Sequence, residues 1–110
     1  MKLFRCEVCG YVYEGEDFLE VCPKCGAPKE KHVQLSEEDA AKIYNSDETN
    51  DIHMELINLA GAMIELSERG IEIDLDPTCV KIFEKTILAA WEVKALAKAE
   101  LQGHMKKGKW

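Results

Sequence analysis

Long apolar runs are missing from this 110-residue chain. No stretch approaches the about 20 consecutive apolar residues that a membrane-spanning helix requires, so the membrane is excluded as a partner. The opening residues, Met1-Lys2-Leu3-Phe4-Arg5-Cys6, also lack the apolar centre of a secretory signal. The two absences together predict a cytoplasmic protein. Basic charge is scarce as well: 14 lysines and arginines face 21 acidic residues, for a net charge of −7. Nucleic acid is therefore not an expected partner, because phosphate binding needs a basic face. The sequence has no phosphate-binding glycine loop, no dinucleotide fingerprint, no nucleophile motif and no Cys-x-x-Cys-His for haem attachment.

Cysteine, by contrast, is abundant and ordered. Cys6-Glu7-Val8-Cys9-Gly10 and Cys22-Pro23-Lys24-Cys25-Gly26 are two matched turns, each with two residues between its cysteines and a glycine directly after. In a reducing compartment such pairs are metal ligands rather than disulfides. Two thiolates from each turn would fill the four corners of a tetrahedral site, giving Cys6, Cys9, Cys22 and Cys25 as the metal-ligating residues. The glycines permit a left-handed backbone that a Cβ would resist, which lets amides of the turn point at the sulfurs. Spacing alone admits iron or zinc.

Charge and periodicity divide the rest of the chain. Residues 1–35 are nearly balanced, residues 36–76 carry twelve acidic and two basic side chains, and residues 77–110 carry three acidic and seven basic. The acidic middle and the basic last third are expected either to attract each other, within one chain or across a dimer, or to form two solvated helix faces of opposite bias. Residues 1–35 read as a small ribbon of short strands that depends on metal for much of its folding energy, with Lys29–Leu35 returning as an extended edge or linker. From residue 36 the period is helical. Ser36 and Asp39 cap a short helix at about 37–44, and the polar run Asn45–Asp51 breaks the chain. A helix at about 50–69 follows, with Ile52, Leu56, Leu59, Met63 and Leu66 as its stripe, widened by Ile57, Ala60 and Ile64. Gly70 reads as its C-cap, and residues 71–75 as an extended link.

Asp76 and Pro77 then open a last helix at about 77–103. Its stripe is Val80, Phe83, Ile87, Ala90, Ala97 and Leu101, interrupted by Lys94, with Leu88 and Trp91 alongside. The expected fold is α+β: a metal-bound β ribbon (1–35) followed by an α-helical hairpin (36–110). Two helices bury little alone, so dimerisation into a four-helix bundle is expected. The basic tail from His104 to Trp110 is read as solvent-facing, or as docking on an acidic segment of a dimer mate or redox partner.

The residues around the cysteines narrow the metal. Cys6-x-x-Cys9-Gly10-Tyr11-Val12-Tyr13-Glu14-Gly15, followed by Cys22-Pro23-x-Cys25-Gly26-Ala27-Pro28, resembles a rubredoxin. The short spacer between the pairs is similar to the abbreviated rubredoxin domain of rubrerythrins, over about residues 1–33. The resemblance implies one iron ion held by the four cysteines, with no open position for substrate, and one-electron transfer to and from a redox partner protein. Phe4, Tyr11 and Tyr13 are read as core packing of so small a domain. A zinc ribbon, in which the metal only folds the module and the helices bind a partner, is the alternative.

Rubrerythrins also carry a di-iron bundle built on Glu-x-x-His motifs, but Lys29, Asn50 and Leu101 stand three residues before His32, His53 and His104. A di-iron peroxidase or oxidase assembled across a dimer, drawing on Glu55, Glu65, Glu84, Glu92 or Glu100, is the third reading. An electron carrier with no catalysis of its own is the expectation. Cys79, in the first turn of the last helix beside Asp76, reads as a small buried residue rather than a reactive thiol.

Overall fold

The computed structural model describes residues 2–110, and contacts divide the chain into two compact units, one ending at Tyr44 and one running from Asn45 to Trp110. In the first unit, β1 (Lys2–Cys6), β2 (Val12–Gly15) and β3 (His32–Gln34) form an antiparallel sheet in the order β2-β1-β3. The register sets Phe4 opposite Tyr13 and Cys6 opposite His32. The segment expected to return as one extended edge is shorter as a strand, because Lys29–Lys31 first make a single 3-10 turn.

Two long helices follow, α1 (Glu37–Ile73) and α2 (Pro77–Lys106). The α+β ribbon-plus-hairpin architecture is as the sequence predicts. The separate helices expected at 37–44 and 50–69 are one, however, and the expected break at 45–51 is helical throughout. Its polar residues are there for a different reason. Ser46 and Asn50 are buried, and Ser46 Oγ (2.6 Å) and Asn50 Nδ2 (2.7 Å) both donate to the Lys109 carbonyl. Asn50 Oδ1 is bonded in turn to His104 Nδ1, and His104 Nε2 lies 3.0 Å from Glu100 Oε1. The tail is thus fixed on the acidic segment of its own chain, through backbone and neutral polar groups rather than lysine charges.

The seam between the helices is a heptad pattern with steps of four and three. On α1 it comprises Ser46, Asn50, His53, Ile57, Ala60, Ile64, Ser67 and Ile71; on α2, Val80, Phe83, Ile87, Ala90, Lys94, Ala97, Leu101 and His104. The α2 stripe is the expected one, with Lys94 keeping its place in the seam by laying its ammonium 4.4 Å from the centre of the Trp91 ring. The α1 seam is displaced from the expected stripe: Ile57, Ala60 and Ile64 face inward, while Ile52, Leu56, Leu59, Met63 and Leu66 stay exposed.

The caps also separate into kept and corrected. Ser36 Oγ accepts from the Asp39 amide at 3.1 Å and Asp76 Oδ1 from the Cys79 amide at 2.8 Å, as expected. Gly70 is not a C-cap: α1 continues to Ile73, and Asp74 takes the left-handed turn with φ 50°. Gly70 is a space requirement instead. A Cβ built there would lie 2.4 Å from the Phe83 ring, so its absence lets that ring rest on the α1 backbone. Cys79 is half-buried rather than buried, and burial and the Asp76 carboxylate both push its thiol up, away from reactivity.

Gly70→Ala should therefore destabilise the protein despite the usual helical advantage of alanine, by about 1–3 kcal/mol. Urea unfolding followed by circular dichroism would read this, and adding Phe83→Ala should make the alanine at position 70 favourable.

Candidate metal centre

Each cysteine pair sits on a turn whose backbone closes identically. The Gly10 amide donates to the Cys6 carbonyl at 2.8 Å, and the Gly26 amide to the Cys22 carbonyl at 2.8 Å. The next bond repeats as well: the Cys6 amide donates to Tyr11 and the Cys22 amide to Ala27, both at 2.9 Å. Gly10 (φ 84°) and Gly26 (φ 76°) are left-handed, and no atom lies within 4 Å of where a Cβ would stand. These two glycines are needed for conformation, not for room.

The turns bring four sulfurs together. The Sγ atoms of Cys6, Cys9, Cys22 and Cys25 all lie within 4.8 Å of one another, with Cys6–Cys25 at 3.6 Å and Cys9–Cys22 at 3.5 Å. A metal at about 2.3 Å from each sulfur would set the edges of a tetrahedron near 3.8 Å, so the donor set fits a four-thiolate ion. All four sequence-predicted ligands are in the cluster, and among the described residues no other group of His, Cys, Asp and Glu gathers in this way.

Burial is unequal. Cys6 and Cys22, the first of each pair, are enclosed; Cys9 is half-buried and Cys25 exposed. The thiols also perturb one another. Burial opposes ionisation of Cys22, but the amides of Cys25 and Lys24 and the thiols of Cys9 and Cys25 outweigh it and lower its pKa to about 6. For Cys25 the amide of Ala27 favours the thiolate, yet burial and the sulfurs of Cys6, Cys9 and Cys22 push its pKa up to about 12. Crowded sulfurs cannot all carry charge unaided, and a cation at their centre removes that conflict.

Aromatic packing supports the turns. Phe4 and Tyr13 are buried and stacked with ring centres 5.3 Å apart, and Phe18 closes on Phe4 at 4.7 Å. Tyr11 stacks outside them on Tyr13 at 5.8 Å. Tyr13 Oη also accepts from the Leu19 amide at 3.2 Å and shares a 2.8 Å hydrogen bond with Nδ1 of buried His32. The sequence placed Phe4 and Tyr13 correctly as core. His32 and Phe18 carried no such signal, since each stands in a polar stretch and meets its partners only through the sheet register and the intervening loop.

Comparison with known proteins agrees with this geometry. Residues 4–32 match the family model of the rubrerythrin rubredoxin-like domain. Over 38 residues the chain is 58% identical to reverse rubrerythrin-1 of Clostridium acetobutylicum, a match that takes in 34% of this chain and 21% of that protein. No solved structure matches the chain. A rubredoxin-like domain therefore occupies the first third, and the helical remainder has no family assignment.

Two substitutions test the assigned ligands and turns. Cys22→Ser should abolish stable four-sulfur metal binding and unfold the first unit while leaving the helical circular dichroism signal largely intact; unchanged metal content would show that the ligand set is wrong. Gly10→Ala should retain the metal but lower the stability of the metal-loaded module by about 1–2 kcal/mol, the cost of a left-handed alanine, read from its thermal melt.

Proposed function

We propose that the chain is a one-electron carrier whose rubredoxin-like module holds a single iron ion on Cys6, Cys9, Cys22 and Cys25, and exchanges electrons with a redox partner protein in the cytoplasm. The observation that carries this reading is the closed set of four converging sulfurs within a segment matching the rubrerythrin rubredoxin-like domain. Iron so bound would supply a ferrous–ferric couple whose two states accept nearly the same tetrahedron. The four cysteines leave no position for substrate, so the fitting chemistry is electron exchange rather than catalysis. Cys6 and Cys22 shield the site, while exposed Cys25 and half-buried Cys9 offer a short sulfur route to the surface. Thiolates of this kind persist in a reducing compartment, and no described helix is long and apolar enough to cross a membrane.

The name of the matched relative does not extend this to peroxide chemistry. The shared segment excludes most of that protein, and no histidine here follows a Glu-x-x spacing. The helical unit serves association in this reading.

Anaerobic loading with ferrous iron tests the assignment. One iron per chain, a red oxidised form and reversible bleaching with one electron per iron are expected. A colourless protein that holds zinc and fails to take up iron would move the module to a structural zinc ribbon. Two further irons per dimer on carboxylate and histidine ligands would instead indicate an enzyme.

A further inference from the structure

We infer that the first two turns of α1, residues 37–44, belong to the metal module: they fold onto the back of its sheet, are ordered when the four cysteines hold an ion, and in return strengthen the binding of that ion. The inference rests on the four-sulfur site, not on which ion fills it or on electron transfer. Its starting point is where the contacts divide the chain. The boundary between the two units falls after Tyr44, inside α1 and not in a loop.

The strand register shows what those turns cover. Side chains alternate across a strand, so Phe4 and Cys6 share one face of β1 and Leu3 lies on the other. Phe4 is packed against Tyr13 and Phe18. Leu3 faces away from that aromatic cluster, yet it is only 6% exposed. Glu14 of β2 stands directly opposite Leu3 in the register, and therefore on the same face. The Tyr44 hydroxyl donates to the Glu14 carboxylate, which brings α1 to that face. The chain arrives there at Leu35, whose amide donates to the Leu3 carbonyl at 2.9 Å, and Ser36 caps the helix at once. Ala40, Ile43 and Tyr44 then recur at helical spacing; Ala40 and Ile43 are half-buried, while Glu38 and Ala41 are exposed.

These turns depend on the sheet. The fully buried residues of α1 begin only at Ser46. Adding a residue to a helix end is close to neutral in water without tertiary contacts, with a propagation constant of about 1–1.6. Contacts with the sheet therefore decide whether residues 37–44 stay helical, and the sheet keeps its fold through the ion. The coupling is reciprocal: what the ion adds to the stability of the helix start, the helix start adds to the affinity for the ion. Tyr44 and Glu14 are positioning residues in this scheme, and neither is among the four sulfur ligands.

Full-length protein loaded with zinc, compared with the same chain stripped by a chelator under reducing conditions, tests the inference. Amides of residues 41–44 are expected to exchange hydrogen about tenfold or more slowly in the zinc form, while those of residues 57–64 keep their rate. Equal rates at 41–44, or a change of the same size at 57–64, overturn it. A matched pair of substitutions reads the reverse direction. Ala41 and Ala62 are both exposed on α1, one before the boundary and one after it. Ala41→Gly should weaken zinc binding about fourfold in competition with a chromogenic chelator, and Ala62→Gly should leave it unchanged. Equal effects, or none, overturn the inference. Tyr44→Phe should weaken binding about threefold and be silent in the Glu14→Ala background; a loss that persists there overturns the Tyr44–Glu14 link. Failure of zinc to bind at all overturns the inference together with the ligand set, whereas zinc binding without these shifts overturns the inference alone.

Discussion

Four sulfurs held within 4.8 Å of one another are the constraint on which the first unit depends. The most completely buried large side chains are Phe4, Cys6 and Cys22, so two of the three belong to the four-sulfur cluster. A unit of this size cannot exclude enough apolar surface to offset chain entropy, and the interior that would otherwise do so is the metal centre itself. Strand register follows from the same demand. The pairing of Cys6 with His32 and Phe4 with Tyr13 brings one ligand, its aromatic support and the Tyr13–His32 hydrogen bond to adjacent positions of one small sheet. Metal binding and folding would in this sense be one event.

The helical unit meets the opposite problem. Its seam is narrow and partly polar: Ser46, Asn50, Ser67 and His104 are buried in it, and the side chains that could bury most area face away. Buried polar groups are tolerable only where they find partners, and Asn50 shows how this is done. Its amide donates to the Lys109 carbonyl while its carbonyl oxygen meets His104, so one side chain links α1, α2 and the tail. Such a network specifies which residues meet more than it stabilises the pair. The apolar area that remains exposed then follows as a separate property of the chain, rather than as a defect of packing.

How far this was legible in the sequence depends on whether the signal was local. The cysteine turns, the Ser36 and Asp76 caps and the α2 stripe are all set by residues within a turn of one another, and all were readable. The run Asn45–Asp51 was not, because a serine and an asparagine inside a helix look identical to a loop until the tail arrives from about sixty positions away to accept their hydrogen bonds. The α1 stripe misled for a related reason. Two heptad rhythms run side by side on that helix, and hydrophobicity marks the more apolar one, whereas the intramolecular partner occupies the smaller. His32 and Phe18 were invisible because register and loop path, not neighbours in sequence, deliver them to Tyr13 and Phe4.

Glycine shows the same limit within one residue type. Gly10, Gly26 and Gly70 each follow a segment that must turn or end, and the sequence suggests one reason for all three: a left-handed backbone. For Gly10 and Gly26 that reason holds, and the space beside them is empty. Gly70 keeps a helical backbone, and what it lacks a side chain for is the ring of Phe83. The first two glycines serve a site that any four-thiolate ion could fill, so their conformation carries no information about the metal. The third makes room on α1 for a ring carried by α2. A sequence records that a side chain is absent; only the neighbour in space says whether the absence serves the backbone or makes room for another residue.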